Sequence, residues 1–411
     1  MDVRVKTADT KRFRRLTLAE DIYSFDDIVL LASIGQCCLF CNAQGFSVAL
    51  NPGIKSVGAK ARLSQVSHSF AHSFASLLPH DSNYFRPKSE PLGRYKTKMT
   101  RKQFSKYTES QSEDGEMRHA LSGDEAPHEA QSSKEPVNIR VMTHNIRYAT
   151  GAPFKGEEKW PIRCPRLCSE LVFNSTPNPA TFICLQEVLH NQLVDILAAL
   201  GGEWEYIGVG REDGKEVGEY SPIFYRPSVW KLKTWVTVWL SETPRVPSKG
   251  WDAASTRIAT VGQFIHIESG RLIIVVSTHL DDQGAKSRKE SAKLILGVLD
   301  LEASLAGAHV VLLAGDFNSP PDDEAYQIVT APDSGMLDVH DMVPREKQYG
   351  NEVTFTGFSD ESDPSRIDFI FSRKKDNIKY GTFAVLANRF DDGVYSSDHR
   401  ACVADLQLLP A

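Results

Sequence analysis

The chain has 411 residues, a formal net charge of −6 and a hydrophobic fraction of 41%. Such a composition supports a packed core and excludes a wholly disordered or collagen-like chain, and the negative charge argues against a uniformly basic nucleic-acid binder. From Val137 onward, 37 acidic residues outnumber 28 basic ones, a net charge of −9. An acidic domain that acts on anions needs a bound cation or a few well-placed arginines.

Residues 1–136 differ in composition from the rest of the chain. Their polar, basic beginning lacks the apolar run of a signal peptide, which favours a cytoplasmic location. The most apolar stretch, residues 28–50, is too weakly hydrophobic to predict stable membrane association, and residues 64–136 have the composition of a linker. We therefore expect a largely disordered leader, which could be a separate domain, a targeting element or an artefact of the assigned gene start.

The segment 137–411 contains short apolar, β-branched runs separated by turn residues. Such runs predict strands at 138–143, 181–185, 205–209, 222–225, 235–240, 260–267, 271–278, 309–314, 366–371 and 401–408. Two segments, around Leu193–Leu200 and Ala292–Leu299, have apolar residues at helical spacing. Many strands with few helices indicate an α/β domain with two packed sheets flanked by helices.

Polar residues recur where these predicted strands end. Asn145, Glu187, His279, Asp316, Asn318, Asp398 and His399 all occupy such positions. Asp368 lies inside an apolar run, where a carboxylate is costly to bury without a partner. Side chains at strand ends commonly form sites, and this set combines carboxylates for a hard cation with two histidines for proton transfer.

The motifs around these residues resemble those of the endonuclease/exonuclease/phosphatase superfamily, and they occur in the family's order. They are HN at 144–145, LQE at 185–187, GEYSPIFYR at 218–226, STHLD at 277–281, GDFNSPP at 315–321, RIDFIF at 366–371 and SDHR at 397–400. The resemblance implies a four-layer α/β sandwich of two mixed β-sheets flanked by helices. It places the active site where loops of the two sheets meet.

The resemblance also implies a divalent cation, Mg²⁺ with Mn²⁺ as a possible substitute. Glu187 matches the principal metal carboxylate, Asn145 its neighbour in the metal site, and Asp398 a second contact to the metal or its water. One or two protein carboxylates are chemically sufficient, because Mg²⁺ retains several waters.

Catalytic roles follow from the resemblance in the same way. Asp316 and Asn318 match the pair that contacts the attacking water and the phosphoryl group. His399 matches the histidine beside the scissile phosphate, with Asp368 as its orienting carboxylate.

The second family histidine corresponds to His279, and Glu219 stands where its carboxylate partner is expected. Arg257, just before a predicted strand, is a candidate fork for the phosphate.

We therefore predict a divalent-metal-dependent phosphoesterase that hydrolyses a phosphomonoester or phosphodiester by in-line attack of water. The charge of −9 and the lack of a basic stripe favour a small substrate over nucleic acid. A metal-dependent nuclease acting on DNA or RNA is the alternative, and a non-catalytic binding protein on the same fold is a third.

Overall fold

The computed structural model describes residues 135–359, 363–373 and 377–410, together with five short strands nearer the N-terminus. The chain divides into two compact units, Met1–Glu90 and Pro91–Ala411. In the first unit, β1 (Asp2–Lys6) pairs with β2 (Phe13–Thr17), while β3 (Ile28–Leu31), β4 (Cys37–Asn42) and β5 (Gly45–Leu50) form an antiparallel sheet. The apolar stretch 28–50 thus contributes strands. For the rest of the leader, the expectation of disorder lies outside the described residues.

The second unit contains thirteen strands among the described residues. They are β6 (Val137–Asn145), β7 (Thr181–Gln186), β8 (Glu205–Ile207), β9 (Ile223–Tyr225), β10 (Trp230–Trp239), β11 (Ile258–His266), β12 (Leu272–His279), β13 (Val310–Asp316), β14 (Met336–Asp338), β15 (Gln348–Gly350), β16 (Asp368–Arg373), β17 (Ile378–Val385) and β18 (Cys402–Leu408). All ten predicted strands are present, and β14, β15 and β17 are additional. The strand β17 escaped prediction because six of its eight residues are exposed or only partly buried, so its apolar pattern is weak.

Helices connect and cover these strands. They are α1 (Trp160–Ser175), α2 (His190–Leu200), α3 (Ala285–Ala306), α4 (Glu324–Val329) and α5 (Val339–Met342). The helix α1 was not predicted, and Pro165 inside it obscures the helical pattern. Within the part of the chain that the structure describes, no helix has both the length and the hydropathy needed to span a bilayer.

The strands of the second unit form two mixed sheets. The six-stranded sheet has the order β10-β11-β12-β13-β16-β14, and the seven-stranded sheet has the order β15-β17-β18-β6-β7-β9-β8. Each sheet contains a parallel pair of consecutive strands joined by a helix: α3 connects β12 to β13, and α1 connects β6 to β7. In the seven-stranded sheet, β15 and β17 also pair in parallel. Parallel neighbours need such a crossover, and their carboxyl ends then lie at the same edge of the sheet.

Three apolar clusters define four layers. The cluster between the sheets includes Phe182, Trp230 and Phe264. The centroid of the Phe182 ring lies 4.8 Å from that of Trp230 and 4.9 Å from that of Phe264. A second cluster joins α1 and α2 to the outer face of the seven-stranded sheet, and a third joins α3 and α4 to the six-stranded sheet. The predicted four-layer α/β sandwich is confirmed.

Candidate active site

Three site residues lie side by side on neighbouring strands of the six-stranded sheet. The parallel register pairs His279 with Asp316, and the antiparallel register pairs Asp316 with Asp368. The strands β13 and β12 approach each other closely at Gly315, just before Asp316. A Cβ atom on Gly315 would lie 2.0 Å from the carbonyl oxygen of Thr278. A glycine is therefore required at this position to bring Asp316 beside His279.

The seven-stranded sheet contributes Asn145, at the end of β6, and Glu187, directly after β7. The Asn145 Nδ2 group donates to Glu187 Oε1 at 3.0 Å and to Asp316 Oδ2 at 2.9 Å. Glu187 Oε2 accepts from the backbone N–H of Tyr148 at 3.1 Å. One buried amide therefore joins carboxylates from the two sheets, and the site lies where the sheets meet.

At three positions in the site, the backbone adopts a left-handed conformation that residues other than glycine rarely occupy. Glu187 has a φ of 60°, Asn318 of 45° and Arg147 of 56°. Asparagine tolerates this left-handed region, but glutamate and arginine adopt it less readily, at a cost of about 1–3 kcal/mol each. Such strain persists where the surrounding structure enforces it, and here it turns Glu187 into the cleft.

His399 is held by Asp368. Its Nδ1 atom lies 2.8 Å from Asp368 Oδ2, and the backbone N–H of Asp368 donates to Thr354 Oγ1 at 3.0 Å. Burial alone would lower the pKa of His399, but the carboxylates of Asp368 and Asp316 raise it well above its ordinary value. His399 is therefore an imidazolium whose Nε2 atom lies 3.7 Å from Asp316 Oδ2.

His279 lies on the other side of Asp316, with its Nε2 atom 3.4 Å from Asp316 Oδ2. The same atom lies 3.0 Å from Asn318 Nδ2, which also donates to the carbonyl of Leu280. Burial, reinforced by the charges of Arg257 and Arg211, lowers the pKa of His279 well below its ordinary value. His279 is therefore neutral, and one of its two ring nitrogens carries a proton.

Glu219 approaches His279 less closely than Asp368 approaches His399. Its Oε2 atom lies 3.9 Å from His279 Nδ1, whereas Arg211 Nη1 donates to the same oxygen at 2.7 Å. Burial and the nearby charge of Glu187 raise the pKa of Glu219 to about 7. Asp368 is therefore hydrogen-bonded to its histidine, whereas Glu219 is hydrogen-bonded to Arg211 and only lies near His279.

The site residues line a cleft of about 660 Å³. Arg257 lies in its wall and is only 5% exposed, with Nε donating to Asp281 at 3.2 Å and Nη2 to Asp282 at 2.6 Å. The cleft also contains Arg147 and Arg211, which were not predicted as site residues. Arg147 stands two residues after Asn145, and Arg211 opens the loop that carries Glu219, so both lie beside predicted site residues.

Buried carboxylates repel one another in this cleft. Burial, followed by the charge of Asp368, raises the pKa of Asp316 to about 7. Burial and the charge of Glu187 raise the pKa of Asp398, although His399 and Arg147 oppose the shift. A bound divalent cation would relieve this repulsion, and oxygen ligands are those that Mg²⁺ prefers. The donor set therefore fits such an ion.

A second group that could hold a metal ion consists of Asp316, Asp368 and His399, whose ligand atoms lie within 4.8 Å of one another. The hydrogen bond between Asp368 and His399 already occupies one potential metal-ligating atom of each residue, Oδ2 of Asp368 and Nδ1 of His399. Asn145 is constrained in the same way, since its Oδ1 atom accepts the backbone N–H of Arg147 at 3.0 Å. Glu187 and Asp398, the charged ligands predicted from the sequence, line the same cleft.

The second unit is thus a two-sheet α/β sandwich with acids and histidines in a cleft at the junction of its sheets. The sequence profile of the Endonuclease/Exonuclease/phosphatase family matches residues 142–399, and the chain belongs to this family. No curated protein sequence matches the chain.

Solved structures agree with this assignment. An endonuclease/exonuclease/phosphatase from Bacteroides vulgatus is 33% identical, with a TM-score of 0.59 over 66% of this chain and 99% of that one. A mannosyl-6-phosphatase from Bacteroides thetaiotaomicron is 30% identical, with a TM-score of 0.58 over 65% and 99% of the two chains. The catalytic domain of human Nocturnin, 19% identical with a TM-score of 0.51 over 67% and 97%, shares the fold.

Proposed function

We propose that the chain hydrolyses a small phosphomonoester, with a sugar phosphate favoured, in a reaction that requires Mg²⁺ or Mn²⁺. The observation that carries this proposal is the position of Asp316, whose Oδ2 atom lies 3.4 Å and 3.7 Å from the Nε2 atoms of the two histidines. Asp316 lies between a neutral and a charged imidazole. Its carboxylate can receive a proton, while the charged imidazole stabilises an anion.

Glu187 and Asp398 would hold the cation, and Asn145 would keep Glu187 beside Asp316. When bound, a divalent cation neutralises charge on the phosphoryl oxygens and makes a coordinated water more acidic. The remaining chemistry falls to the protein's own groups.

Asp316 is the base for the attacking water. Burial and the charge of Asp368 raise its pKa above that of a solvated carboxylate, and a more basic carboxylate accepts a proton more readily. Asn145 Nδ2 holds the receiving carboxylate in position through its 2.9 Å hydrogen bond.

The two histidines orient and stabilise the phosphoryl group. His399, protonated and held by Asp368, donates from Nε2 to an equatorial oxygen and stabilises the charge that develops there. His279, neutral and held by the amide of Asn318, fixes the other side of the group. Arg257 supplies a positive charge in the wall of the cleft.

The preference for a small substrate has three supports. The cleft volume of about 660 Å³ lies in the range that encloses small molecules, and the domain carries a net charge of −9. The mannosyl-6-phosphatase matches at 30% identity over 99% of its length. A hexose phosphate is therefore the first substrate to assay.

The test measures phosphate release from mannose 6-phosphate and other hexose phosphates, and plasmid nicking in parallel, with Mg²⁺, Mn²⁺ or chelator. We expect phosphate release with the metals, none with chelator, and negligible nicking. A protein that nicks plasmid and releases no phosphate from the panel would instead be a nuclease. Inactivity on both substrates would favour a non-catalytic binding protein.

A further inference from the structure

A second cleft, of about 380 Å³, lies beside the active site. Five of its lining residues matter here: Thr356, Asn388, Arg389, Tyr395 and Arg400. Two of them are arginines, and no carboxylate lies among the described residues that line this cleft. This composition contrasts with the active-site cleft, which is lined by several carboxylates as well as arginines.

The second cleft opens on the other side of the chain from the active site. His399 lines the active-site cleft, while its neighbour Arg400 lines the second cleft. Phe355 and Thr356 divide in the same way, and Phe355 forms a bridge with His399. Successive side chains of an extended chain point to opposite faces, so these two short segments separate the clefts.

One arginine of the second cleft, Arg400, has a hydrogen-bond donor that the described residues leave unused. The Nε–H group of Arg400 is buried and has no hydrogen-bond partner among the residues that the structure describes, while its Nη1 donates to the carbonyl of Val353 at 3.2 Å. A buried N–H without an acceptor is unfavourable, and a ligand that accepts from it would remove that cost.

Arg389 faces the same cleft from a different loop. Its Nη1 donates to the hydroxyl of Tyr395 at 3.3 Å, and its guanidinium lies 5.0 Å from the centre of the Tyr395 ring. The ring therefore positions Arg389 without neutralising its charge. Two guanidinium groups around one small cleft match the oxygens of a tetrahedral anion, which arginine binds through pairs of hydrogen bonds.

We propose that the second cleft is an oxyanion site, formed by Arg389 and Arg400, that binds a phosphate group outside the catalytic centre. The phosphate is either free inorganic phosphate or a second anionic group of the substrate. Both sources offer the same chemistry to the arginines, and the experiments below separate them.

Isothermal titration calorimetry of the full chain with inorganic phosphate tests the site. The titration is done with chelator present and at low ionic strength, so that phosphate is not bound through a metal. Wild type should bind one phosphate, and Arg389→Gln and Arg400→Gln should each weaken binding about tenfold, since each removes a charge-assisted contact. The control Arg345→Gln removes the same charge from an exposed position that pairs with Glu352.

Phosphate binding that is absent in wild type, unchanged in both cleft variants or equally weakened in Arg345→Gln would overturn the proposal. Arg400→Gln lies next to His399, so circular dichroism checks its fold, and Arg389→Gln provides an independent result. These binding experiments need no catalytic activity, so they stand apart from the proposed function.

Kinetics then distinguish the two sources of phosphate, and this arm rests on the proposed function. If the substrate supplies the second anion, Arg389→Gln should raise KM about tenfold for a hexose bisphosphate and leave KM for a hexose monophosphate unchanged. If the site takes free phosphate, both KM values should stay unchanged while phosphate binding is lost. A lower kcat for the monophosphate in folded Arg389→Gln would place Arg389 in the catalytic centre and overturn a separate site.

Discussion

At the scale of single residues, the surroundings of the two histidines give them opposite protonation states. His399 faces Asp368 and Asp316, and its pKa rises well above its ordinary value. His279 is buried near Arg257 and Arg211, and its pKa falls well below it. Environments that drive the pKa values of two titratable groups apart commonly mark distinct catalytic roles. This difference supports the proposed role of His399 as a hydrogen-bond donor to the phosphoryl group and the proposed role of His279 as a neutral imidazole.

The 2.8 Å contact between His399 and Asp368 predicts that the two residues act as one unit. His399→Ala should lower kcat by ~10²–10⁴-fold, and combining it with Asp368→Asn should cost little more than His399→Ala alone. Steady-state kinetics of the single and double variants measure this coupling. Additive losses would mean that Asp368 acts elsewhere, most directly on the metal.

The pair His279 and Glu219 serves as the comparison in the same experiment. Their atoms are 3.9 Å apart, and Glu219 is hydrogen-bonded to Arg211. We expect Glu219→Gln to lower activity further even in the His279→Ala background, because losing the Glu219 charge also weakens its contact with Arg211. Complete non-additivity would show that Glu219 acts through His279 alone.

Glu187 carries the prediction for metal dependence. Glu187→Gln preserves the shape of the side chain and removes the charge, so it should weaken Mg²⁺ binding and lower turnover by ~10²-fold or more. Activity measured against Mg²⁺ concentration gives both quantities. The matched control is Glu346→Gln, at an exposed position outside the cleft. A Glu187→Gln variant that titrates like wild type would exclude Glu187 as a metal ligand.

At the scale of elements, Asp281 connects the loop before β11 to the start of α3. Its carboxylate accepts backbone N–H groups of Ala254, Ser255 and Gly284, and the Nε–H of Arg257. Although burial alone would raise its pKa, these donors lower it to about 2. The same carboxylate therefore holds both the loop and the arginine that lines the cleft.

This depressed pKa predicts how stability depends on pH. Ionised Asp281 should stabilise the fold by about 2 kcal/mol above pH ~4, and this contribution should disappear as the pH falls from about 4 to about 2. Asp281→Asn should therefore be less stable at pH 7, and the difference from wild type should shrink in acid. Urea unfolding at several pH values measures it, with Asp282→Asn as the control at a half-exposed neighbour. A difference that does not change with pH would contradict the assignment.

At the scale of the whole molecule, the proposed catalytic residues all follow Val137 in the sequence. The carbonyl of Glu135 accepts Arg271 Nη2 at 2.8 Å, and Arg271 Nη1 donates to Leu408 near the C-terminus. A chain that begins at Glu135 retains this connection. We expect it to keep specific activity within a few-fold of the full chain, as measured by phosphate release. Loss of activity in a folded truncation would give the leader a catalytic role.

The sequence by itself determined the strands and the family. Each apolar β-branched run encodes a strand locally, so all ten predicted strands are present, and motifs in family order identified a fold that the structure confirms. Weak periodicity explains why α1 and β17 were not predicted, since Pro165 interrupts the pattern of α1 and six of the eight residues of β17 are exposed or only partly buried.

Only the tertiary structure decided how the site residues meet. Sequence order cannot show that Asp316 lies between two histidines, because His279 and His399 are brought together by sheet register and by the packing of two sheets. Nor can it show that Glu219 lies closer to Arg211 than to His279, or that Arg400 points away from the active site. Local patterns fix which face of a strand a residue occupies. Contacts between distant segments depend on register and layer packing, which no short stretch of sequence encodes.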